Sequence, residues 1–147
     1  YRIRVTGRIK HFISAFGEHV IGKEVEEALL PAANERGIKI VEFTVAPQVR
    51  PLEAGALPYH EWFVEFEQPP ADLSALATEV DRRMNEQNIY YEDLIKGGIL
   101  QPLVIRPLRK GAFRAYMKSQ GKLGGQNKVP RLSNDRKLAD FFSDWVL

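Results

Sequence analysis

The stretch YHEWFVEFE, residues 59–67, alternates apolar and acidic side chains and is the clearest strand pattern in the chain. A period of two is typical of a β-strand, because successive side chains point to opposite faces of the sheet. The apolar residues of one face are Trp62, Val64 and Phe66, and the acids of the other are Glu61, Glu65 and Glu67. The pattern predicts a central strand with an apolar face packed against helices and an acidic face in solvent.

Further elements can be assigned outward from this strand. Helical spacing of apolar residues predicts helices over about 22–36, 73–84 and 112–119, a short turn around Tyr91, and a last helix from Ser133 or Asn134. That last helix would place Leu138, Phe141, Phe142 and Trp145 in the core. Residues 38–45 and 103–105 resemble strands, residues 2–14 predict two short strand segments before a hairpin turn at 15–18, and proline-rich residues 47–58 predict a loop.

This order of elements predicts an α+β domain. We expect a small antiparallel or mixed sheet of about three strands, plus an N-terminal hairpin, with helices packed on it.

The composition excludes several kinds of site. The chain has 147 residues, of which 44% are hydrophobic, and no cysteine, so disulfides, thiolate metal sites and cysteine nucleophiles are excluded. Because His11, His19 and His60 are dispersed, we expect no metal site. The sequence has no apolar run near the ~20 residues of a membrane helix and no secretory signal, which predicts a cytoplasmic protein without a membrane partner. The chain opens on Tyr1 in strand-like sequence, which predicts a fragment of a longer protein.

Positive charge is concentrated in residues 106–137, which hold 10 Lys and Arg but one acid, Asp135. Such a block attracts phosphate, whether on a nucleotide, a nucleic acid or a membrane, although a solvated surface is an equal interpretation. One alternative function is therefore a nucleic-acid-binding module, whose affinity would fall steeply with salt. Another is a small-ligand regulatory domain that dimerises through its sheet, with Trp62, Val64 and Phe66 exposed.

The segment 121–131, GKLGGQNKVPR, is the best candidate site. Its glycines allow the backbone to bend or to approach a ligand closely, and Lys122, Lys128 and Arg131 could reach a phosphate from such an arm. It is not the phosphate-cradling nucleotide motif, because Asn127 precedes the lysine and Val129 follows it. Taken alone, a surface turn is the alternative.

Two smaller segments are further candidates. The first runs from Gly7 through Arg8 to Lys10 and could equally be a strand with two exposed cations. The second, Gly17, Glu18 and His19, is a tight turn before a helix, and its alternative is a hairpin with a solvated tip. His60, at the start of its strand, is expected to be structural.

These segments together resemble a known family. Residues 7–10 and 16–29 are similar to the post-hinge segment of the adenylate-forming superfamily. The whole chain resembles the acyl acid amido synthetases of the Gretchen Hagen three, or auxin-responsive promoter, family, through residues 13–18, 59–62 and 121–131, with Asp81, Asn88, Tyr91, Gly111 and Phe113. One departure is Ile95, with Lys96 adjacent, where the family commonly has an arginine.

The resemblance implies a C-terminal lid domain over residues 7–147 and a hinge-adjacent segment over 1–6, with Arg4 or Thr6 in the hinge. An N-terminal domain of the same polypeptide would bind ATP with Mg²⁺ and a carboxylic acid, form an acyl-adenylate, and pass the acyl group to an amino acid amine. Nucleic acid would not be a partner.

The resemblance also implies site residues. Lys128 would be the catalytic lysine of adenylation, and Gly17, Glu18 and His19 would lie near the amine. The residues expected at ATP or the adenylate are Arg8, Lys10, Lys122, Gln126 and Arg131.

Overall fold

The three-stranded sheet at the centre of the domain is mixed, with the strand of residues 59–66 in the middle. The computed structural model describes residues 12–13, 17–49, 55–121 and 129–147. Its strands are β1 (Phe12–Ile13), β2 (Val20–Ile21), β3 (Ile40–Gln48), β4 (Tyr59–Phe66) and β5 (Val104–Leu108). Its helices are α1 (Gly22–Glu35), α2 (Leu73–Gln87), α3 (Ile89–Lys96), α4 (Ala112–Ser119) and α5 (Lys137–Phe142), followed by a 3₁₀ turn at Ser143–Trp145.

Strand order fixes β4 as the central strand. β3 pairs with β4 antiparallel and β5 pairs with β4 parallel, while β1 and β2 form a separate two-stranded hairpin. The predicted α+β class, the mixed sheet of three strands and the N-terminal hairpin are therefore confirmed.

The two faces of the sheet pack against different helices. One face carries Trp62, Val64 and Phe66 into a core with apolar residues of α1, α2 and α3. The other carries Phe63 into a second core with Phe113 of α4 and Phe142 of α5. Because Trp62 is fully buried, the sheet-dimerising regulatory domain, which needs that face exposed, is contradicted.

Local sequence signals explain the helix ends. The Asp72 side chain accepts from the Ala75 N–H at 2.9 Å and caps α2, as predicted. After α1, Gly37 has φ +69°, and the Ile38 N–H donates to the Ala33 carbonyl at 2.9 Å, which is a left-handed helix stop.

Several predicted boundaries were wrong. β3 continues through Pro47 to Gln48 instead of ending at Val45, because β3 is an edge strand, where proline is tolerated. β5 likewise continues to Leu108.

The last helix starts at Lys137 rather than near Ser133. Leu132 forms a parallel bridge with Val45, and the Ser133 N–H donates to the Val45 carbonyl at 3.0 Å, so the chain still runs along β3 at this point and the helix begins later. Within the predicted aromatic stripe, Phe142 is fully buried, whereas Phe141 and Trp145 are half-buried against the second core.

Candidate functional site

The 17–19 turn lies directly before β2 and has an unusual backbone. Gly17 and His19 both have positive φ, at +97° and +47°. Glu18 between them is completely buried, while His19 is exposed. A positive φ at a residue other than glycine costs about 1–2 kcal/mol, so contacts elsewhere must hold this conformation.

The Glu18 carboxylate is held by His60 of β4. Glu18 Oε2 and His60 Nε2 are 2.7 Å apart, and both side chains are buried. With Glu18 ionised, the carboxylate can only accept, so the imidazole Nε2 carries the proton that it donates. The Tyr91 ring lies against the imidazole, with 5.4 Å between ring centroids. His60 is thus buried and bonded to the predicted amine-site turn.

Asn88, between α2 and α3, ties the backbone of the same turn. Its Nδ2 donates to the Glu18 carbonyl at 2.9 Å and lies 3.4 Å from the His19 carbonyl. It also donates to Glu24 Oε1 at 3.2 Å, while Asn88 Oδ1 accepts from the Tyr91 N–H at 2.9 Å and caps α3. One side chain therefore caps a helix with its oxygen and holds the turn with its nitrogen.

Behind Asn88, Tyr91 and Asp81 complete the group of residues that we call the turn cluster. The Tyr91 hydroxyl donates to Asp81 Oδ1 at 2.5 Å, and the Leu103 N–H donates to the same oxygen at 3.2 Å. Burial and the nearby Asp81 carboxylate raise the pKa of Tyr91 well above its usual value, so the phenol stays protonated as a donor. The turn cluster consists of Glu18, Glu24, His60, Asp81, Asn88 and Tyr91.

A second region, residues 129–133, lies along β3. The Thr44 hydroxyl donates to the Pro130 carbonyl at 2.7 Å, and the Val45 N–H donates to the Arg131 carbonyl at 2.9 Å. Leu132 forms a parallel bridge with Val45. The residues that follow the candidate lysine are therefore fixed to the sheet edge.

Arg131 contributes to this attachment. Its Nε donates to Glu26 Oε2 at 2.8 Å, a second nitrogen pairs with Glu42, and its guanidinium lies 4.4 Å from the Phe43 ring centroid. Binding of ATP by Arg131 stays a prediction, and in this arrangement its side chain joins α1 to β3.

The acidic face of β4 is buried rather than solvated, which corrects the sequence prediction for Glu61 and Glu65; Glu67 is exposed. Glu61 accepts from Arg106 Nε at 2.6 Å and from an Arg136 nitrogen at 2.8 Å. The positive charges of these arginines offset the desolvation cost of burying the carboxylate.

Glu65 has a different partner, the N-terminus of α4. It accepts the backbone N–H groups of Gly111 and Phe113 at 2.9 and 3.1 Å. Those amides have no acceptor within the helix, and the helix dipole favours a negative charge there. Glu61 and Glu65 thus fix the elements on both sides of residues 122–128.

Most predicted site residues lie outside the described residues: Arg4, Thr6, Arg8, Lys10, Lys122, Gln126 and Lys128. Gly17, Glu18, His19 and Arg131 are described, and the turn and Arg131 belong to the two separate regions above. Their roles stay predictions. Ile95, at the departure from the family pattern, packs against the first core, and Lys96 pairs with Glu92 at 3.3 Å.

The sequence analysis does not predict the contacts that His60 and Asn88 make with the turn. The burial of His60 agrees with the structural role predicted for it, and Asn88 enters the prediction only as part of a resemblance. An Asn immediately before a helical segment is a capping signal, but its second bond, to a turn 70 residues earlier, has no local signal.

Over the described ranges, we find no group of His, Cys, Asp and Glu able to hold a metal ion, and no helix with the length and apolar character needed to cross a bilayer. A cleft of about 740 Å³ lies between the ends of α1 and α2 and includes Arg36, Lys39, Glu67, Asp72 and Lys110. It shares no residue with the turn cluster.

Comparison with known proteins points to one family. The model of the GH3 family C-terminal domain matches residues 23–137. Among solved structures, GH3.15 acyl acid amido synthetase matches 95% of this chain with a TM-score of 0.76 at 16% identity. AtGH3.15 acyl acid amido synthetase in complex with 2,4-DB matches 94% of it with a TM-score of 0.71 at 15% identity. The chain spans 26% of the length of each, and no curated protein sequence matches it.

Proposed function

We propose, since this chain belongs to the GH3 C-terminal domain family, that it is the C-terminal domain of an ATP-dependent ligase that joins a carboxylic acid to an amino acid. An N-terminal domain of the same polypeptide would bind ATP, Mg²⁺ and the acid. The observation that carries the proposal is the family match over residues 23–137, together with a fold shared over 95% of the chain with an acyl acid amido synthetase. The 147 residues alone are expected to be inactive.

In the first half-reaction, the carboxylate oxygen attacks the α-phosphorus of ATP and pyrophosphate leaves. Negative charge grows on the phosphoryl and bridging oxygens, and an ammonium aimed at them stabilises the transition state. Lys128 is the proposed donor of that charge. Lys122, Gln126, Arg131, Arg8 and Lys10 are the proposed further contacts of ATP or the adenylate.

The described flanks of residues 122–128 suit such a role. On one side, α4 is fastened to β4 through Glu65, and on the other, residues 129–133 are bonded along β3. A catalytic side chain must be placed to within a fraction of an ångström. Attachment to rigid helices and strands provides that precision. Both attachments belong to this domain, so a rotation of the domain would carry the lysine as a unit.

In the second half-reaction, the amine nitrogen attacks the acyl carbon. The bond from that carbon to the phosphate oxygen breaks, AMP leaves with the electron pair, and the amine proton passes to water. We place the 17–19 turn beside the incoming amine.

The arginine contacts argue against a nucleic-acid-binding module. Arg106 and Arg136, two cations of the basic block, are both paired with the buried carboxylate of Glu61. Charge neutralised in this way is not available for phosphates of a nucleic acid.

The test is exchange of labelled pyrophosphate into ATP by the full-length protein, with benzoate, phenylacetate, octanoate and 2,4-DB as trial acids. We expect Lys128→Ala to slow exchange by a factor on the order of 10²–10³, since one transition-state charge contact is lost. Lys118→Ala is the matched control, because Lys118 is exposed on α4, and it should leave exchange unchanged. Unchanged exchange in Lys128→Ala would remove Lys128 from this role, whereas no exchange with the wild-type protein would overturn the proposed function.

A further inference from the structure

The 17–19 turn is held far more firmly than a two-stranded hairpin requires. Three contacts tie it to distant parts of the chain: His60 to the Glu18 carboxylate at 2.7 Å, and Asn88 to the Glu18 and His19 carbonyls at 2.9 and 3.4 Å. They hold His19 at φ +47°, a conformation that a free turn would leave.

A buried carboxylate is a poor choice for stability alone. Taking Glu18 out of water carries a desolvation penalty, and an apolar side chain of similar volume serves a purely structural core position as well or better. What the pair with His60 provides is direction, since a hydrogen bond between buried polar groups allows one geometry where apolar packing allows several. Backbone strain that is held by such surroundings is concentrated at functional sites.

We infer that His60 and Asn88 are positioning residues that fix the 17–19 turn for the amine-transfer half-reaction and have no part in adenylation. This inference rests on the proposed function, in which the same domain serves both half-reactions with different surfaces. The two surfaces use different bonds: Glu18 and His19 are bonded to His60 of β4 and to Asn88, whereas residues 129–133 are bonded along the edge of β3. They approach each other at the start of α1, where a Cβ on Gly22 would lie 3.6 Å from the Arg131 Cβ.

A substitution that changes one atom of Asn88 can separate its two contacts, the cap of α3 and the bonds to the turn. Asn88→Asp keeps the oxygen that caps α3, and Asp is as good a cap as Asn. The same change replaces the Nδ2 donor by an oxygen that faces the Glu18 and His19 carbonyls and the Glu24 carboxylate. The turn then loses its backbone support and is repelled, while α3 keeps its cap.

The experiment measures both half-reactions on the full-length protein. Pyrophosphate exchange reports adenylation with whichever of the four trial acids gives the fastest rate, and mixing of preformed adenylate with each of the twenty amino acids reports transfer. We expect Asn88→Asp to lower kcat/KM for the amino acid by about 10²-fold, because misplacement by 1 Å has that effect, and to change exchange less than twofold.

The matched control is Asn34→Asp, which makes the same change at an exposed position of α1, outside the turn cluster. It should leave the ratio of the two half-reactions unchanged. Equal losses in both half-reactions for Asn88→Asp, or no loss in either, would overturn the inference while leaving the proposed function intact. A wild-type protein without pyrophosphate exchange would overturn both.

His60 gives a second, independent variant. His60→Phe keeps a ring of similar size but removes the donor to Glu18, whereas His60→Gln can restore a donor through its amide. We expect transfer to fall in His60→Phe and to be partly rescued in His60→Gln, with exchange retained in both. Equal transfer rates in the two variants would show that ring packing matters and the hydrogen bond does not, which would overturn the role of His60.

Discussion

The two faces of β4 are both buried, but by different physical means. Trp62, Val64 and Phe66 enter a core of apolar side chains from three helices. On the opposite face, the carboxylates of Glu61 and Glu65 flank Phe63 and are met by two arginines and by a helix N-terminus. The first face needs only apolar surface opposite it, whereas the second needs particular donors at particular points.

The two faces therefore have different roles: apolar burial stabilises the fold, and the paired carboxylates position the loops. Apolar burial is non-directional, so it fixes that helices cover the sheet. The paired carboxylates are directional, and their partners, Arg106, Arg136 and the first turn of α4, all lie next to the segments that flank residues 122–128. Substitutions on the two faces should therefore differ in size and in kind.

The largest effect is expected on the apolar face. Trp62→Ala removes a fully buried indole, and we expect the free energy of unfolding to fall by about 3–5 kcal/mol through lost transfer free energy and the cavity left behind. Urea denaturation of the 147-residue chain measures it. Val41→Ala, at a half-exposed position of β3, should change stability by no more than about 0.5 kcal/mol. A loss near 1 kcal/mol for Trp62→Ala would contradict the apolar core as the main source of stability.

A smaller loss is expected on the acidic face. Glu61→Ala leaves Arg106 and Arg136 without their shared carboxylate, and because both arginines are about a third exposed, we expect a loss of about 2–3 kcal/mol. Glu67→Ala, on the same strand pattern but exposed, is the control and should be nearly neutral. If the two variants proved equally stable in urea, the acidic face would be no more than a solvated surface after all.

Much of the fold could be predicted because its signals are local. The period-two pattern of β4, the Asp72 cap and the Gly37 stop each depend on residues within a few positions of one another. The α5 boundary failed since Ser133 is held by Val45, 88 residues earlier, and no local pattern records that bond. The predicted end of β3 is wrong because an edge strand tolerates a proline such as Pro47.

The candidate site divides in the same way. Glycines and cations in residues 121–131, and the 17–19 turn, could be selected from composition alone. The buried state of Glu18 could not, because its partners His60 and Asn88 are 42 and 70 residues away. One sequence signal does point to the burial of the acids in β4. The strand has three glutamates and the later block has ten cations, and such opposite charges favour pairing.

Glu79 on α2 is a partly exposed carboxylate, in contrast to the buried Glu61 and Glu65. Glu79 on α2 accepts from Arg82 at 2.5 Å and from Arg83 at 2.7 Å, and Arg83 also reaches Glu35 of α1 at 2.9 Å. Hydrogen bonds from Arg82 and Arg83 lower the pKa of Glu79 from 4.5 to about 2. Glu79 is thus paired like Glu61 but lies where solvent screens the charges, so its contribution to stability should be smaller.

The contribution of Glu79 to stability should depend on pH, with a smaller effect than either substitution in β4. Because the folded-state pKa of Glu79 is depressed, its stabilisation is fully present above the unfolded value of 4.5 and is lost as pH falls from about 4.5 through about 2. Urea denaturation at pH 6, 4 and 3 should show the stability difference between wild type and Glu79→Gln shrinking at each step. Glu27→Gln is the control, since Glu27 is exposed on α1 and takes part in none of the ion pairs found among the described residues. A difference that stayed constant from pH 6 to pH 3 would mean that the arginines hold Glu79 no more strongly in the folded chain than in the unfolded one.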